Sequence, residues 1–236
     1  MGLAEVKAFA FDVFGTVVDW RATLIREGEA LGREKGISLD WAAFADAWQA
    51  GKEPAIERVR AGEAPWATLD AIHRARLDVV LAQFGAAGLT EEEKDHLNHA
   101  WHRLDPWPDS IPGLTRLKRR GAVCAFSNGN FGLLVNMAKN AGLPWDGILS
   151  ADLFRRYKPA QELYLGAAEL LGLPPEEVMV VAAHPNDLRA ARANGLRTGY
   201  VARPLEFGPG RAEPETSEAW DVMAGSIEEL AEKLGA

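Results

Sequence analysis

Short apolar runs alternate with amphipathic stretches over most of the chain. We predict one strand in each apolar run, within residues 8–14, 121–130, 147–152, 178–187 and 197–204. The amphipathic stretches have helical spacing, and we predict helices near 131–141, 160–172, 185–194 and 226–234. Runs of Val, Ala and Ile that alternate with helices are typical of a parallel sheet covered on both faces. The pattern therefore predicts an α/β fold with a doubly wound parallel sheet.

Residues 18–104 break this alternation. They contain no good strand, and we predict helices over 21–35, 40–61, 67–84 and 90–103. An all-helical segment is thus inserted after the first strand of the α/β fold. We predict two domains, an α/β core made of residues 1–17 and 105–236 and a helical domain of residues 18–104.

The charge and the single cysteine narrow the classes of function. The 236 residues carry a formal net charge of −8, which is a poor match for nucleic-acid or membrane-surface binding. No apolar run approaches the length of a membrane span, and the N-terminus lacks a basic-then-apolar signal. Cys124 lies in an apolar stretch, where a buried structural thiol is more common than a nucleophile. We expect a cytoplasmic protein without a nucleic-acid or membrane partner.

Polar side chains stand where several predicted strands end. In an open parallel sheet, ligands bind outside the carboxyl ends of the strands. The residues at or near these ends are Asp12, Ser127, Asn128, Lys158, His184 and Asp187. Any one of the Asp, Ser or Asn residues is explained as a helix cap. Their coincidence at one edge of the sheet indicates a site that combines two carboxylates with a cation, a hydroxyl and an amide.

Four segments carry a resemblance to a known family. "FDVFGT" (11–16), "SNGN" (127–130), "YKP" (157–159) and "NDLRAA" (186–191) resemble, in order and spacing, the signature segments of the haloacid dehalogenase superfamily. The forms of the first two segments resemble the 2-haloacid dehalogenase (type II) branch in particular. The resemblance implies a haloacid dehalogenase-like (HAD-like), Rossmann-like core with an inserted all-helical cap domain.

The resemblance also implies roles for individual residues. Asp12 is expected to be the nucleophile that attacks the carbon bearing the leaving group and forms an ester, which water hydrolyses. Thr16 is expected to hydrogen-bond near the nucleophile. Lys158 is expected to keep Asp12 ionised, because a nearby cation lowers a carboxylate pKa. Asp187 is expected to orient Lys158 or the hydrolytic water.

Further residues are expected to bind substrate. Ser127 and Asn128 match positions that hold the substrate carboxylate or the leaving group. Tyr164 matches a supporting tyrosine of the dehalogenases, although core packing on a helix also explains it. Trp20 either lines a pocket near the junction of cap and core or fills the core.

Two positions depart from the family. Gln49 stands where the dehalogenases carry an arginine that receives the halide and substrate charge, and Lys52 lies one helical turn away as an alternative cation. His184 replaces an asparagine of the better-known dehalogenases, and Ala182 replaces a serine. We hypothesise that His184 supports the hydrolytic water, while a simple helix cap is the alternative.

The phosphatases of the same superfamily are the main competing function. Transfer of a phosphoryl group to aspartate needs a general acid, which those enzymes supply two residues after the nucleophile; here that position is Phe14. They also carry a further acid where this chain has Ala183, so Asp12 and Asp187 alone make a poor magnesium site. We therefore expect no metal and no cofactor.

The leading hypothesis is an (S)-2-haloacid dehalogenase-like hydrolase that converts a small haloacid or related carboxylate to a 2-hydroxy acid, with inversion at C2. A magnesium-dependent small-molecule phosphatase and a non-catalytic small-molecule-binding relative remain alternatives. The resemblance further implies a homodimer.

Overall fold

A computed structural model describes residues 3–211 and 217–236 of the chain. The strands are β1 (Ala8–Phe11), β2 (Val18–Asp19), β3 (Asp105–Pro106), β4 (Ala122–Ser127), β5 (Gly147–Ser150), β6 (Val178–Ala182), β7 (Arg197–Val201) and β8 (Val222–Ala224). Six of them form one sheet in the order β5-β4-β1-β6-β7-β8, and every pairing in it is parallel. The predicted parallel α/β sheet is confirmed.

Eleven α-helices accompany the strands within these described residues. They are α1 (Trp20–Lys35), α2 (Trp41–Ala50), α3 (Glu53–Arg60), α4 (Leu69–Gln83), α5 (Glu91–Asn98), α6 (Ser110–Leu117), α7 (Phe131–Ala141), α8 (Ala151–Phe154), α9 (Gln161–Leu171), α10 (Pro185–Ala193) and α11 (Ile227–Lys233). Short 3-10 helices cover Leu3–Glu5, His99–Arg103 and Pro175–Glu177. None of the helices formed by the described residues is long and apolar enough to cross a membrane.

The sheet is buried on both faces because its central strands are apolar on both sides. Phe9 and Phe11 of β1 point into one hydrophobic cluster, and Ala8 and Ala10 point into the other. This alternation follows from the two-residue period of a strand. Cys124 of β4 belongs to the second cluster, and burial raises the pKa of its thiol to about 11, as expected of a structural thiol.

Aromatic side chains pack together in the helical insertion between β2 and β3 and continue the hydrophobic cluster that contains Phe9 and Phe11. Trp101 stacks on Trp20 (ring centroids 6.4 Å apart) and meets Trp48 edge-on (5.4 Å), and Phe44 continues the contact from Trp48 (5.9 Å). Trp20 and Trp48 are both 1% exposed. Aromatic rings of this size supply a large share of the buried apolar surface of the insertion. The assignment of residues 18–104 to a separate cap domain stays a prediction.

A polar cluster fastens the insertion to the sheet-bearing part of the molecule. Nδ2 of Asn130, just before α7, donates to Oδ2 of Asp70 on α4 (2.8 Å), and Oδ1 of Asn130 accepts from the N–H of Asp70 (3.1 Å). Nε2 of His102 lies 3.0 Å from Oδ1 of Asp70, and its Nδ1 lies 3.0 Å from Nδ2 of Asn136 on α7. These bonds hold α4 beside the loop that follows β4.

Several predicted boundaries were wrong for identifiable reasons. The helix predicted over 40–61 is two helices, because Pro54 at the start of α3 favours a new helix start and Gly51 precedes it. The helix predicted over 90–103 ends at Asn98 and continues as a 3-10 turn. The insertion also contains β2, which pairs antiparallel with β3 over two residues only. Two residues are too few to show the alternation of apolar and polar positions by which a strand is predicted. Strand β8 was likewise missed.

Close packing of α6 against α11 gives a stability test. A Cβ atom at Gly113 would lie 2.6 Å from Cγ2 of Ile227 and 2.7 Å from its backbone carbon. We expect Gly113→Ala to lower the free energy of unfolding by about 1–3 kcal/mol, because the interface would be overpacked. The matched control is Gly132→Ala at an exposed position of α7, where no described atom of a neighbouring element lies within 4 Å of such a Cβ atom. Equal urea midpoints for the two variants would contradict this account.

Candidate active site

The end of β1 fixes the carboxylate of Asp12 at the edge of the sheet. The N–H of Asp12 donates to the carbonyl of Val181 on β6 (2.9 Å), so the backbone stays in the sheet one residue beyond the strand. The hydroxyl of Thr16 donates to Oδ2 of Asp12 (2.8 Å) and accepts from the N–H of Ala183 (2.9 Å). Thr16 thus ties the loop after β1 to the end of β6 and orients the carboxylate.

The turn after Asp12 requires a glycine. Gly15 has a φ of +81°, in the left-handed region, and a Cβ atom there would lie 2.1 Å from Oε1 of Glu206. Glycine supplies both the conformation and the space. The carboxylate of Glu206 can therefore approach the backbone of the loop that carries Asp12.

Lys158 lies between two carboxylates. Its Nζ donates to Oδ1 of Asp12 (3.2 Å) and to Oδ2 of Asp187 (2.5 Å), and it stands 4.3 Å from the ring centroid of Phe126. The hydroxyl of Tyr164 donates to Oδ1 of Asp187 (2.6 Å). Tyr164 is fully buried on α9, so it both packs in the core and supports Asp187.

This arrangement favours the ionised forms of both partners. Burial alone would raise the pKa of Asp12, but the charge of Lys158 and the hydrogen bond from His184 hold it well below its usual value. Burial alone would lower the pKa of Lys158, but the carboxylates of Asp187 and Asp12 raise it. An ionised carboxylate beside an ammonium is a chemically competent nucleophile that is held in one orientation.

His184 bridges Asp12 to a third carboxylate. Its Nδ1 lies 3.0 Å from Oδ2 of Asp12, and its Nε2 lies 3.1 and 3.0 Å from the two oxygens of Glu206. His184 occupies the position before α10, but its side chain makes no capping bond to the helix. The alternative of a simple helix cap is therefore wrong, because the ring is turned toward the carboxylates.

Two carboxylates around one imidazole determine its protonation. Burial alone would lower the pKa of His184, but the hydrogen bonds to Asp12 and Glu206 raise it well above its usual value. Both ring nitrogens therefore donate at neutral pH. The indole N–H of Trp20 donates to Oε1 of Glu206 (3.2 Å), so Trp20 lies behind this carboxylate in the core.

Glu206 was not among the site residues predicted from the sequence. It lies in the loop after β7, five residues beyond Val201, and is 4% exposed. The one available signal was an acid just past the carboxyl end of a predicted strand, the same signal that identified Asp12.

A cavity of about 330 Å³ opens onto Asp12. Its walls come from both the sheet edge and the helical insertion. The lining residues are Asp12, Phe14, Gln49, Ala50, Lys52, Glu53, Leu69, His73, Trp101, Ser127, Asn128, His184, Glu206 and Phe207. The structure thus brings together most of the predicted site residues, while Lys158, Asp187 and Tyr164 line a second cavity of about 650 Å³ that also reaches Asp12.

Ser127 and Asn128 form the wall of the first cavity at the end of β4. Oγ of Ser127 accepts from the N–H of Gly129 (3.1 Å). Oδ1 of Asn128 accepts from the N–H of Lys158 (2.8 Å), which leaves the amide NH₂ of Asn128 as a donor. The two side chains place a hydroxyl and an amide close to the nucleophile loop.

The observed donor set is a poor match for a divalent metal. The space between Asp12 and Asp187 holds the ammonium of Lys158, and Phe14 and Ala183 supply no oxygen ligand from their side chains. Among residues 3–211 and 217–236, no group of three or more His, Cys, Asp or Glu side chains is arranged to hold a metal ion. A magnesium ion prefers several oxygen ligands in near-octahedral geometry.

Comparison with known proteins identifies the family. A family model described as haloacid dehalogenase-like hydrolase matches residues 6–195. The chain belongs to the haloacid dehalogenase-like hydrolase family. The resemblance drawn from its four signature segments is thereby confirmed.

Several relatives of this haloacid dehalogenase-like hydrolase are 2-haloacid dehalogenases. An L-2-haloacid dehalogenase of known structure is 47% identical, with 98% of this chain and 99% of that chain covered and a TM-score of 0.94. A defluorinating L-2-haloacid dehalogenase is 44% identical, with 98% and 96% covered and a TM-score of 0.94. The (S)-2-haloacid dehalogenase of Xanthobacter autotrophicus is 30% identical, with 84% of this chain and 76% of the relative covered.

The contact between Glu206 and His184 gives a direct test of this site. We expect Glu206→Gln to lower the pKa of His184 by about one to three pH units, because one of the two flanking anions is removed. An NMR titration of the histidine ring nitrogens measures this value. Glu91→Gln, on the surface of α5, is the matched control. A His184 pKa that is the same in both variants would show that Glu206 does not set its protonation.

Proposed function

We propose that this haloacid dehalogenase-like hydrolase displaces halide from C2 of a small (S)-2-haloacid and releases the 2-hydroxy acid. The observation that carries the proposal is the carboxylate of Asp12, kept ionised by Lys158 in the wall of a cavity. An aromatic ring, Phe14, stands where a general acid would otherwise be. The L-2-haloacid dehalogenases among its relatives support the same chemistry.

In the first half-reaction Asp12 acts as the nucleophile. A carboxylate oxygen forms a bond to C2 while the carbon–halogen bond breaks and its electron pair leaves with the halide. Attack from the side opposite the halogen inverts C2. A halide leaves as a stable anion and needs no proton, so the apolar Phe14 is compatible with this step. A phosphate ester would require a proton donor for its alkoxide.

The substrate carboxylate is proposed to bind at the end of β4. The hydroxyl of Ser127 and the amide of Asn128 are hydrogen-bonding groups beside Asp12 on the core wall of the cavity. Holding the carboxylate there orients C2 toward the nucleophile, which lowers the entropic cost of reaction. Lys158 and Thr16 are proposed to keep the nucleophile charged and aligned.

In the second half-reaction His184 is proposed to activate water. Esterification removes the charge of Asp12, which is one of the two anions that hold His184 protonated. The pKa of His184 therefore falls at the step that needs a base, and the ring releases one proton to solvent. The neutral ring, with Nε2–H donating to Glu206, accepts a proton at Nδ1 from a water that attacks Cγ of Asp12. As the bond between Cγ of Asp12 and the substrate oxygen breaks, His184 returns this proton to that oxygen and the 2-hydroxy acid is released. The carboxyl group of Asp12 then passes its remaining proton to His184, which restores the starting carboxylate and imidazolium.

The two alternatives are less well supported. A phosphatase would need a second acid near Asp12 and oxygen ligands for magnesium, and the side chains of Phe14 and Ala183 provide neither. A non-catalytic relative would have no reason to hold a buried, ionised carboxylate in a network of Lys158, His184 and Thr16, since such a charge is costly to bury.

Cellular location and assembly also stay predictions. We propose a cytoplasmic homodimer, on the strength of the family resemblance and the single, buried cysteine. Exposed leucines such as Leu165 and Leu170 on α9 are compatible with a subunit contact.

Halide release tests the proposed reaction. We expect the protein to release halide from small 2-haloacids, fluoroacetate included, at the same rate with EDTA or with magnesium. Asp12→Asn should lower the rate by at least about 1,000-fold, because an amide is a poor nucleophile. An ion-selective electrode measures the halide. Phosphate release that depends on magnesium, without halide release, would establish the phosphatase instead.

A trapping experiment tests the role of His184. We expect His184→Ala to form the ester on Asp12 but to hydrolyse it about 100- to 10,000-fold more slowly, since general base catalysis is lost. After incubation with chloroacetate, the intact protein should gain the mass of one carboxymethyl group on the peptide that contains Asp12. Wild-type protein treated in the same way is the control. An unchanged pH–rate profile for ester hydrolysis in the variant would remove His184 from this step.

A further inference from the structure

Polar groups with no partner, or with a single weak one, line the insertion side of the cavity above Asp12. His73 on α4 is 1% exposed, yet neither ring nitrogen has a hydrogen-bond partner among the described residues. Oε1 of Gln49 is likewise buried without a partner from the described part of the chain. The ammonium of Lys52 has one weak contact, 3.5 Å to the carbonyl of Gln49. Buried polar atoms are rarely left unsatisfied, so the ring nitrogens of His73 and Oε1 of Gln49 point to a ligand that binds in this cavity.

The ring of His73 is held in place for that ligand. It stacks on Trp101, with ring centroids 4.0 Å apart and an angle of 17° between the planes. The carbonyl of His73 accepts from the indole N–H of Trp48 (2.9 Å). Burial and the charge of Lys52 lower the pKa of His73 well below its usual value, so the ring is neutral and keeps one N–H donor.

Lys52 supplies the positive charge of this wall. Burial lowers its pKa to about 8, while the carboxylates of Glu53, Glu206 and Asp12 oppose the shift. The side chain is therefore an ammonium at neutral pH. Together Lys52 and His73 offer a cationic donor and a neutral N–H donor, which suit a small anion and not a cation.

The direction of attack decides which anion this is. Backside displacement requires the leaving group to depart along the line from the attacking oxygen through C2, away from Asp12. The core loops, with Ser127 and Asn128, surround Asp12 itself. The departing atom therefore meets the wall that the helical insertion contributes.

We propose that Lys52 and His73 form the receptor for the departing halide. This inference rests on the proposed dehalogenase function and assigns its leaving-group site to two residues outside the four signature segments. As the carbon–halogen bond breaks, its electron pair leaves with the halide, which accepts hydrogen bonds from Nζ of Lys52 and from the ring N–H of His73. No proton is transferred.

Leaving-group dependence tests the receptor. We expect Lys52→Met to lower the single-turnover rate of halide release from chloroacetate by about 10- to 100-fold, because a hydrogen bond from a charged donor is lost. The loss should be several-fold smaller for iodoacetate, since iodide accepts weaker hydrogen bonds than chloride. Lys139→Met, an exposed lysine on α7, is the matched control and should match wild type. Equal losses for both substrates would overturn the proposal, because a structural defect does not distinguish leaving groups.

The second variant removes only the N–H donor. His73→Phe keeps an aromatic ring against Trp101, and we expect about a 3- to 10-fold loss with chloroacetate and a smaller loss with iodoacetate. A thermal midpoint close to that of wild type verifies that the variant folds. Unchanged kinetics in His73→Phe would remove His73 from the receptor.

Halide binding tests the site without turnover. In Asp12→Asn, we expect bromide to quench tryptophan fluorescence in a saturable way, because Trp101 lines the cavity. The affinity should fall above about pH 8 as Lys52 loses its proton, and Lys52→Arg should retain it at higher pH because guanidinium stays protonated. In one outcome, the wild-type protein binds bromide in a way that depends on Lys52 and yet releases no halide from any substrate. That result would contradict the proposed function but would support a halide site at Lys52 and His73. Binding that is indifferent to Lys52 overturns the receptor alone.

Discussion

The active site depends on one constraint: the carboxylate of Asp12 must stay ionised although it is buried at the edge of the sheet. Asp12 is 9% exposed, and an isolated charge at that depth would bind a proton instead. Three neighbours offset the cost: the ammonium of Lys158, the hydroxyl of Thr16 and the ring of His184. Each arrives from a different loop at the same edge of the sheet. A parallel sheet with its strand ends in register is what allows them to meet.

The charges of the site are matched rather than excessive. Asp12, Asp187 and Glu206 are balanced by Lys158, His184 and Lys52, and Glu53, which also lines the cavity, pairs with Arg60 (2.8 Å). A haloacid is itself an anion, so a site with net negative charge would repel it from its own nucleophile. Esterification of Asp12 removes one negative charge, and the loss of this charge lowers the pKa of His184. The same network can therefore serve a nucleophile in one step and a base in the next.

Much of the fold and several residues of the active site were predictable from the sequence, for physical reasons. The strands that form the centre of the sheet are continuous apolar runs. Because these strands are parallel, the residues that follow their carboxyl ends lie at the same edge of the sheet. Asp12, Lys158, His184 and Asp187 were found in this way. Glu206 was not predicted as a site residue because it lies in a loop, where the sequence shows neither helical nor strand periodicity. Only the folded structure brings it next to His184. The unpartnered nitrogens of His73 were equally invisible, because a buried atom without a partner is a property of three-dimensional packing.

The central claim is that Asp12 carries the substrate as an ester and that water attacks the aspartate carbon. A single turnover with excess protein in oxygen-18 water tests it most directly. We expect the label to enter the carboxylate of Asp12, where mass spectrometry of the peptide that contains it detects the label. The 2-hydroxy acid of that first turnover should carry none. Label in the product of the first turnover, with Asp12 unlabelled, would mean that water attacks C2 directly and would contradict the account.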